Sequence, residues 1–298
     1  MDNKLVSVII ASYNHGPYIE EAITSVLDQS YPNVELFVVD DGSTDDSVQR
    51  IEKLRETRPF DFRVQKNQGL TRTLNDTIAR SNGTFVAPFG SDDVMCRDRL
   101  AVQMAYVADK PEVGICGGNI EMMYADGSLY PDEVQGRNIP FRRMDFEDVF
   151  LERKIYVPAP TMLIRREAFD KVGGFNPEIR LEDLYIQLKI TNAGYYIDVL
   201  NHLCARYRKH ATNSYKNVRF MTESILRIYA DYADHPDYEK VRFKFLNSML
   251  SKASKKDRHL AAELLKQIPL REWNRRTLKS FLRYRFAPTL PSSSRRRT

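Results

Sequence analysis

The stretch VSVIIASYNHGPYIEEAITSVL, residues 6–27, changes its hydrophobic period once, and that change decides the fold. Residues 6–10 form an apolar, β-branched run of the kind a strand buried on both faces shows. From Pro17, at a helix start, Ile19, Ala22, Ile23, Val26 and Leu27 fall on one helical face. The same alternation continues outward. VELFVVD (34–40) reads as a second strand, and DGSTDDSVQRIEKL (41–54) as a turn and helix with Ser43 or Thr44 as candidate N-caps. FRVQK (62–66) precedes Leu70, Leu74 and Ile78 at helical spacing; TFVAPF (84–89) precedes Leu100, Met104 and Val107; VGICGG (113–118) is one more short strand. Strand and helix in alternation predict an α/β fold with a mostly parallel sheet.

In such sheets ligands bind outside the carboxyl ends of the strands. The polar residues there are Ser12-Tyr13-Asn14, Asp40-Asp41-Gly42-Ser43, Asn67-Gln68-Gly69 and Ser91-Asp92-Asp93, so four loops are expected to converge on one rim. Neither G-x-G-x-x-G nor G-x-x-x-x-G-K-[ST] follows the first strand, which argues against a dinucleotide or P-loop site.

Beyond residue 121 the texture changes. EMMYADGSLY (121–130) reads as a hairpin around Asp126-Gly127, and MDFEDVFLE (144–152) as a short helix. TMLIRREAFDKVGGF (161–175) reads as strand, helix and a Gly-Gly stop, and EDLYIQLKITNAG (182–194) as a helix with two acids in its first turn, ending at Gly194. YYIDVL (195–200) and ARYRKH (205–210) read as two strands, and roughly 217–285 as helices.

At 298 residues, 42% apolar and 29% charged, the composition is globular. No run approaches the ~18 apolar residues of a spanning helix, and no signal peptide is read at the start, so a cytoplasmic protein is expected. Cys96, Cys116 and Cys204 lack C-x-x-C spacing and read as small buried hydrophobes rather than a disulfide or zinc framework. The net charge of +5 hides an asymmetry: residues 251–298 carry +11 and residues 1–250 carry −6.

Asp92-Asp93 ends an apolar run. The pair either caps the helix expected near Arg97 or supplies oxygen ligands to Mg²⁺ or Mn²⁺, which take their remaining ligands from phosphates. Asp40-Asp41 either forms an Asx-type turn or accepts hydrogen bonds from a ribose or base, and the two are compatible. Glu182-Asp183 is either a dipole-favoured helix start or the position of a general base. His210 gains interest as a polar residue arriving after two strands.

These segments together resemble glycosyltransferase family 2, inverting enzymes of the GT-A fold. The resemblance lies in ordered segments: residues 6–47, then NQGLTRTLNDTIARSNGTFVAPFGSDD (67–93), GGFNPEIRLEDLYIQLKI (173–190) and RKHATNS (208–214), covering about 4–215. It implies a GT-A catalytic domain over 1–216, with a nucleotide-sugar half (1–120) and an acceptor half (121–216), followed by a helical, basic extension over 217–298. It implies that Ala11, Tyr13, Asn67, Arg72 and Asp92 contact the nucleotide-sugar, with Arg72 near the diphosphate, and that Asp41 holds the base or ribose. Asp93 is then the direct metal ligand, with His210 reaching the metal or diphosphate. Asp183 is the catalytic base and Glu182 its acceptor-side neighbour. The family's usual acidic run departs here to PFGSDD, with Gly90 where an acid is common, so metal binding rests on fewer carboxylates.

The implied function is metal-dependent inverting transfer from a nucleotide-sugar, with uridine the expected base, to a saccharide or lipid-linked saccharide in bacterial O-antigen or capsule synthesis. A catalytically inactive scaffold of the same fold is the alternative. A sugar-nucleotide pyrophosphorylase would need a Gly-rich basic loop after the first strand, and nucleic acid is not an expected partner because the charge is confined to one end. That end, LREWNRRTLKSFLRYRFAP (270–288), mixes Leu, Trp and Phe with Arg and Lys. It reads either as an interfacial helix in peripheral contact with anionic lipid or as a solvated helix packing its apolar face on the catalytic domain.

Overall fold

The computed structural model describes residues 4–135 and 138–286, which fall into two compact units divided between Ala211 and Thr212. In the first, nine strands form one sheet: β1 (Val6–Ser12), β2 (Val34–Asp40), β3 (Asp61–Val64), β4 (Phe85–Gly90), β5 (Val94–Met95), β6 (Val113–Tyr124), β7 (Arg142–Met144), β8 (Leu163–Arg165) and β9 (Tyr196–Lys209). The order is β3-β2-β1-β4-β8-β6-β9-β5, with β7 also paired to β9. Strands β3 to β4 run parallel in that order; β8 enters antiparallel between β4 and β6; β6 and β9 are parallel to each other.

Helices cover both faces. Val6, Val8 and Ile10 of β1 point to the side covered by α1 (Gly16–Leu27), α2 (Ser47–Arg55) and α4 (Arg99–Val107), packing with Ile19, Ile23, Ile51, Leu100 and Met104. Ile9 points to the other side, where α3 (Leu70–Ile78), α6 (Arg166–Lys171) and α7 (Glu182–Asn192) contribute Leu74, Ile78, Phe169, Ile186 and Ile190. Each such aliphatic side chain contributes about 1.5–3 kcal/mol when fully buried. The short α5 (Phe146–Phe150) starts with a capping box, Asp145 accepting from Asp148 N and Asp148 from Asp145 N. Gly194, with φ at +92°, ends α7 where only glycine is unstrained.

Three local expectations change. Neither Ser43 nor Thr44 caps α2. Ser43 Oγ donates to Asp40 Oδ2 at 2.6 Å and accepts from Asn14 N at 2.8 Å, while Thr44 N donates to Asn14 Oδ1 at 2.8 Å. Both are committed to stitching loops together, and the helix begins at Ser47 after Asp46. VGICGG is only the first half of the 12-residue β6, which continues into the hairpin at Asp126-Gly127. The 195–200 and 205–210 runs are one 14-residue strand, β9, because its irregular register opposite Gly117–Ile120 absorbs the polar interruption at Asn201-His202. That close pairing leaves no room for a side chain at Gly118, whose Cβ would lie 2.2 Å from Cys204 Sγ. Cys116 and Cys204 are buried, as expected, and Cys96 is half-buried.

The second unit is helical: α8 (Val218–Ala230), α9 (Tyr238–Lys256), α10 (Arg258–Gln267) and α11 (Arg275–Phe286), with α8, α10 and α11 packed on α9. Among the described residues no helix is long and apolar enough to cross a membrane.

Candidate active site

The four strand-end loops meet at one rim, joined by hydrogen bonds. Asn14, after β1, bonds to Ser43 and Thr44 after β2. Asp41 is buried; its Oδ1 accepts from Gln65 Nε2 at 2.8 Å and Gln68 N at 2.9 Å, and its Oδ2 from Gly69 N at 2.9 Å. The loop after β3 is thereby folded onto the end of β2, with Asn67 exposed at its tip. Asp40 is engaged in the Asx-type turn, its Oδ1 accepting from Ser43 N at 2.8 Å. His15 Nδ1 lies 2.7 Å from Ser91 Oγ, closing the ring to the loop after β4. Tyr13 is about half exposed and Ala11 half-buried at the mouth of this ring, and Arg72 is exposed in the first turn of α3.

Asp92 and Asp93 part company. His210 Nε2 lies 2.7 Å from Asp92 Oδ2, and one ligand atom from each of His15, Asp92 and His210 lies within 4.8 Å of the others. Asp93 turns inward, its Oδ1 accepting from Arg208 N at 2.9 Å, and burial followed by repulsion from Asp92 pushes its carboxyl well above the usual range. Gly90 makes this arrangement possible, since a Cβ there would lie 2.8 Å from Asp93 Oδ2 and 2.9 Å from Asp92 Oδ1. The space an acid would fill is taken by the two carboxylates that follow it.

The sequence pattern did not single out the residues that hold this cluster. Arg208, almost wholly buried, donates from Nε to the Asp92 carbonyl at 2.7 Å, from Nη1 to the Ala125 carbonyl at 3.2 Å and from Nη2 to Glu21, with its guanidinium 4.9 Å from the Tyr18 ring centre. His210 packs edge-on against His15, with ring centres 5.5 Å apart, and 5.1 Å from Tyr18. Burial pushes the His15 imidazole below its ordinary pKa, with Asp92 opposing and His210 assisting. Arg208 shares the end of β9 with Arg206 and Lys209, so its residue type gave no signal that it turns inward, and His15 in a loop gave none either.

Glu182 and Asp183 stand in the first turn of α7, both half-buried. Burial, then the neighbouring Asp183, pushes Glu182 up to about 8, and burial raises Asp183. The segment delivering them is anchored to α3: Asn75 Nδ2 donates to the Phe175 carbonyl at 2.6 Å and Phe175 N to Asn75 Oδ1 at 3.0 Å. The Tyr156 ring is largely exposed while its hydroxyl end lies in the surroundings of Asp183, where desolvation and then the Asp183 charge raise its pKa. The Tyr156 loop is held by Arg142, whose Nε donates to the Ile155 carbonyl at 2.7 Å and Nη2 to the Tyr156 carbonyl at 3.2 Å.

Comparison with known proteins gives a consistent picture. A sequence model of the family described as glycosyl transferase family 2 matches residues 7–173. The chain is 30% identical over 207 residues to the putative teichuronic acid biosynthesis glycosyltransferase TuaG of Bacillus subtilis (strain 168), over 68% of this chain and 79% of that protein. It is 25% identical over 242 residues to the UDP-Glc:alpha-D-GlcNAc-diphosphoundecaprenol beta-1,3-glucosyltransferase WfgD of Escherichia coli, over 79% of this chain and 89% of that protein. The crystal structure of S. aureus TarS 1-349 in complex with UDP-GlcNAc shares the fold, with a TM-score of 0.65 at 21% identity over 90% of this chain and 82% of that one.

Proposed function

The chain belongs to glycosyl transferase family 2, and from that premise we propose that it moves a sugar from a UDP-sugar to a hydroxyl of a saccharide or lipid-linked saccharide acceptor, inverting the anomeric centre, in the synthesis of a bacterial surface polysaccharide such as O-antigen or capsule. The reading places it in the cytoplasm, peripheral on the inner face of the plasma membrane. The observation that carries it is the convergence of four strand-end loops with a carboxylate and two imidazoles on one rim.

In this reading the rim ring holds the nucleotide. Tyr13 and Ala11 line its mouth, Asp41 braces the 65–69 loop and faces the base or ribose, Asn67 lies at that loop's tip, and Arg72 meets the diphosphate. The donor set fits a divalent cation: Asp92, His210 and His15 offer one oxygen and two nitrogens, a mixed set that suits Mn²⁺ better than the all-oxygen shell Mg²⁺ prefers. When bound, the ion supplies Lewis-acid stabilisation of the leaving diphosphate. The geometry favours Asp92 over Asp93 for direct contact, with Asp93 fixing the loop from behind through Arg208.

Asp183, its pKa raised by burial, is the general base that takes the proton of the attacking acceptor hydroxyl, a contribution of roughly 10² to 10⁴ in rate. Glu182, protonated at neutral pH, can donate a hydrogen bond to the acceptor beside it. TuaG and WfgD support the polysaccharide setting, and the diphosphoundecaprenol in WfgD's name supports a lipid-linked acceptor.

The test is a panel of nucleotide-sugars with the purified protein, with and without Mn²⁺, following release of nucleoside diphosphate. Metal-dependent release from one donor supports the reading. The absence of both release and nucleotide binding across the panel would favour the inactive scaffold.

A further inference from the structure

We propose that α11 docks the protein on an anionic lipid bilayer by its outward face. An ordinary surface helix turns its apolar residues to the core; this one does the reverse. Leu278, Leu282 and Phe286, spaced i, i+4 and i+8 and therefore on one face, are 51%, 46% and 74% exposed. The inward face carries the small polar residues Thr277 and Ser280, both wholly buried, with the Thr277 hydroxyl donating to Asn247 of α9. Phe281 is the inward aromatic, its ring centre 5.3 Å from that of Trp273. The helix is thus seated by polar contacts and one aromatic pair, and its aliphatic side chains are left over.

The charges choose the occupant. Arg275, Lys279 and Arg285 flank the exposed apolar stripe, and among the described residues no carboxylate pairs with them. The helix itself, Arg275–Phe286, contains no acid. A row of aliphatic and aromatic side chains bordered by cations matches a bilayer surface, whose acyl boundary takes the first and whose anionic headgroups take the second. A second copy of the same face would set cation against cation. A nucleic acid would leave the leucines without a partner. Twelve residues of helix span about 18 Å, too short to cross the ~30 Å hydrocarbon layer, so the element lies on the surface. The sequence continues to three further cations, Arg295, Arg296 and Arg297.

The docking does not rest on the donor chemistry proposed above, and its test reads binding without turnover. Full-length protein is sedimented with vesicles of phosphatidylcholine alone and of phosphatidylcholine with phosphatidylglycerol. Two variants are carried alongside: Leu278→Asp with Leu282→Asp, and Arg275→Gln with Lys279→Gln and Arg285→Gln. All substituted side chains are exposed, so unchanged thermal melts and circular dichroism are expected. Wild type should prefer the anionic vesicles, and each variant should lose at least about tenfold in vesicle affinity. Equal binding by wild type and variants, or no binding to either vesicle, overturns the proposal. Loss with the glutamine variant alone also overturns it, since that is adhesion by charge without an apolar face. A concentration-dependent dimer abolished by the leucine substitutions would identify a second copy as the occupant instead.

Discussion

Two neighbouring carboxyls in the first turn of α7 carry the sharpest expectations. Asp183→Asn keeps the shape of the side chain and removes its basicity. Transfer should fall by roughly 10² to 10⁴ with donor affinity by calorimetry unchanged; transfer at the wild-type rate would remove the base assignment. Glu182 titrates in the folded protein near 8 rather than at its ordinary 4.5, so folding favours its protonated form. The stabilisation is complete below the ordinary value and is lost as pH rises from there through about 8. Glu182→Gln should therefore raise the melting temperature relative to wild type at about pH 8.5 and have little effect at about pH 4. A gain that is the same at both values would argue against a protonated Glu182. Their sequence pattern identified these acids as a pair at a helix start. It could not distinguish the proton affinities, because those come from the burial around them and not from the dipeptide.

At the level of elements, the segment leading to Asp183, the proposed base, is held by a contact between stretches a hundred residues apart. The Asn75 carboxamide of α3 bonds both backbone groups of Phe175, upstream of α7. Asn75→Ala leaves that N–H and carbonyl without their partner, a loss of about 1–3 kcal/mol. The variant should melt earlier and lose kcat more than donor affinity, because the loops proposed to hold the nucleotide are tied independently through Asp41 and Asn14. Donor affinity falling as far as kcat would show that the two halves of the rim are not separable. Strand and helix positions along residues 5–120 were legible because a short apolar run and a period-3.6 pattern are both local signals. The start of α2 was not: Ser43 and Thr44 have cap-forming side chains, but Asp40 engages Ser43 within the turn and Asn14 engages both, and the Asn14 contacts exist only once β1 and β2 pair.

For the whole molecule, the carboxylate and two imidazoles proposed to hold the ion come from three distant stretches, so the choice of ion would be a tertiary property. With saturating UDP, Mn²⁺ should raise the melting temperature more than Mg²⁺, by an amount equivalent to about 2.7 kcal/mol at a hundredfold excess over Kd. His15→Ala should narrow the difference between the ions. Equal stabilisation by both ions, unaltered in the variant, would mean that the imidazoles are not ligands. Charge is likewise distributed at this scale, with −6 over residues 1–250 and +11 over the rest. The acidic part contains the rim, and the basic part contains the helix whose leucines face outward.

The sequence by itself determined the α/β alternation, the rim on which a site would form, and the residue types needed for nucleotide-sugar chemistry. The first two follow from local periodicity and from what ends a strand; the third follows from the resemblance to glycosyltransferase family 2. Tertiary structure decided which carboxylate of Asp92-Asp93 meets the imidazoles, that His15 joins them, and that Arg208 braces both acids. It also decided that α11 turns Leu278, Leu282 and Phe286 away from its own core. A helical pattern gives the angle between side chains but not the direction in which the face points. That direction is set by packing, here by buried Thr277, whose hydroxyl bonds to Asn247 of α9.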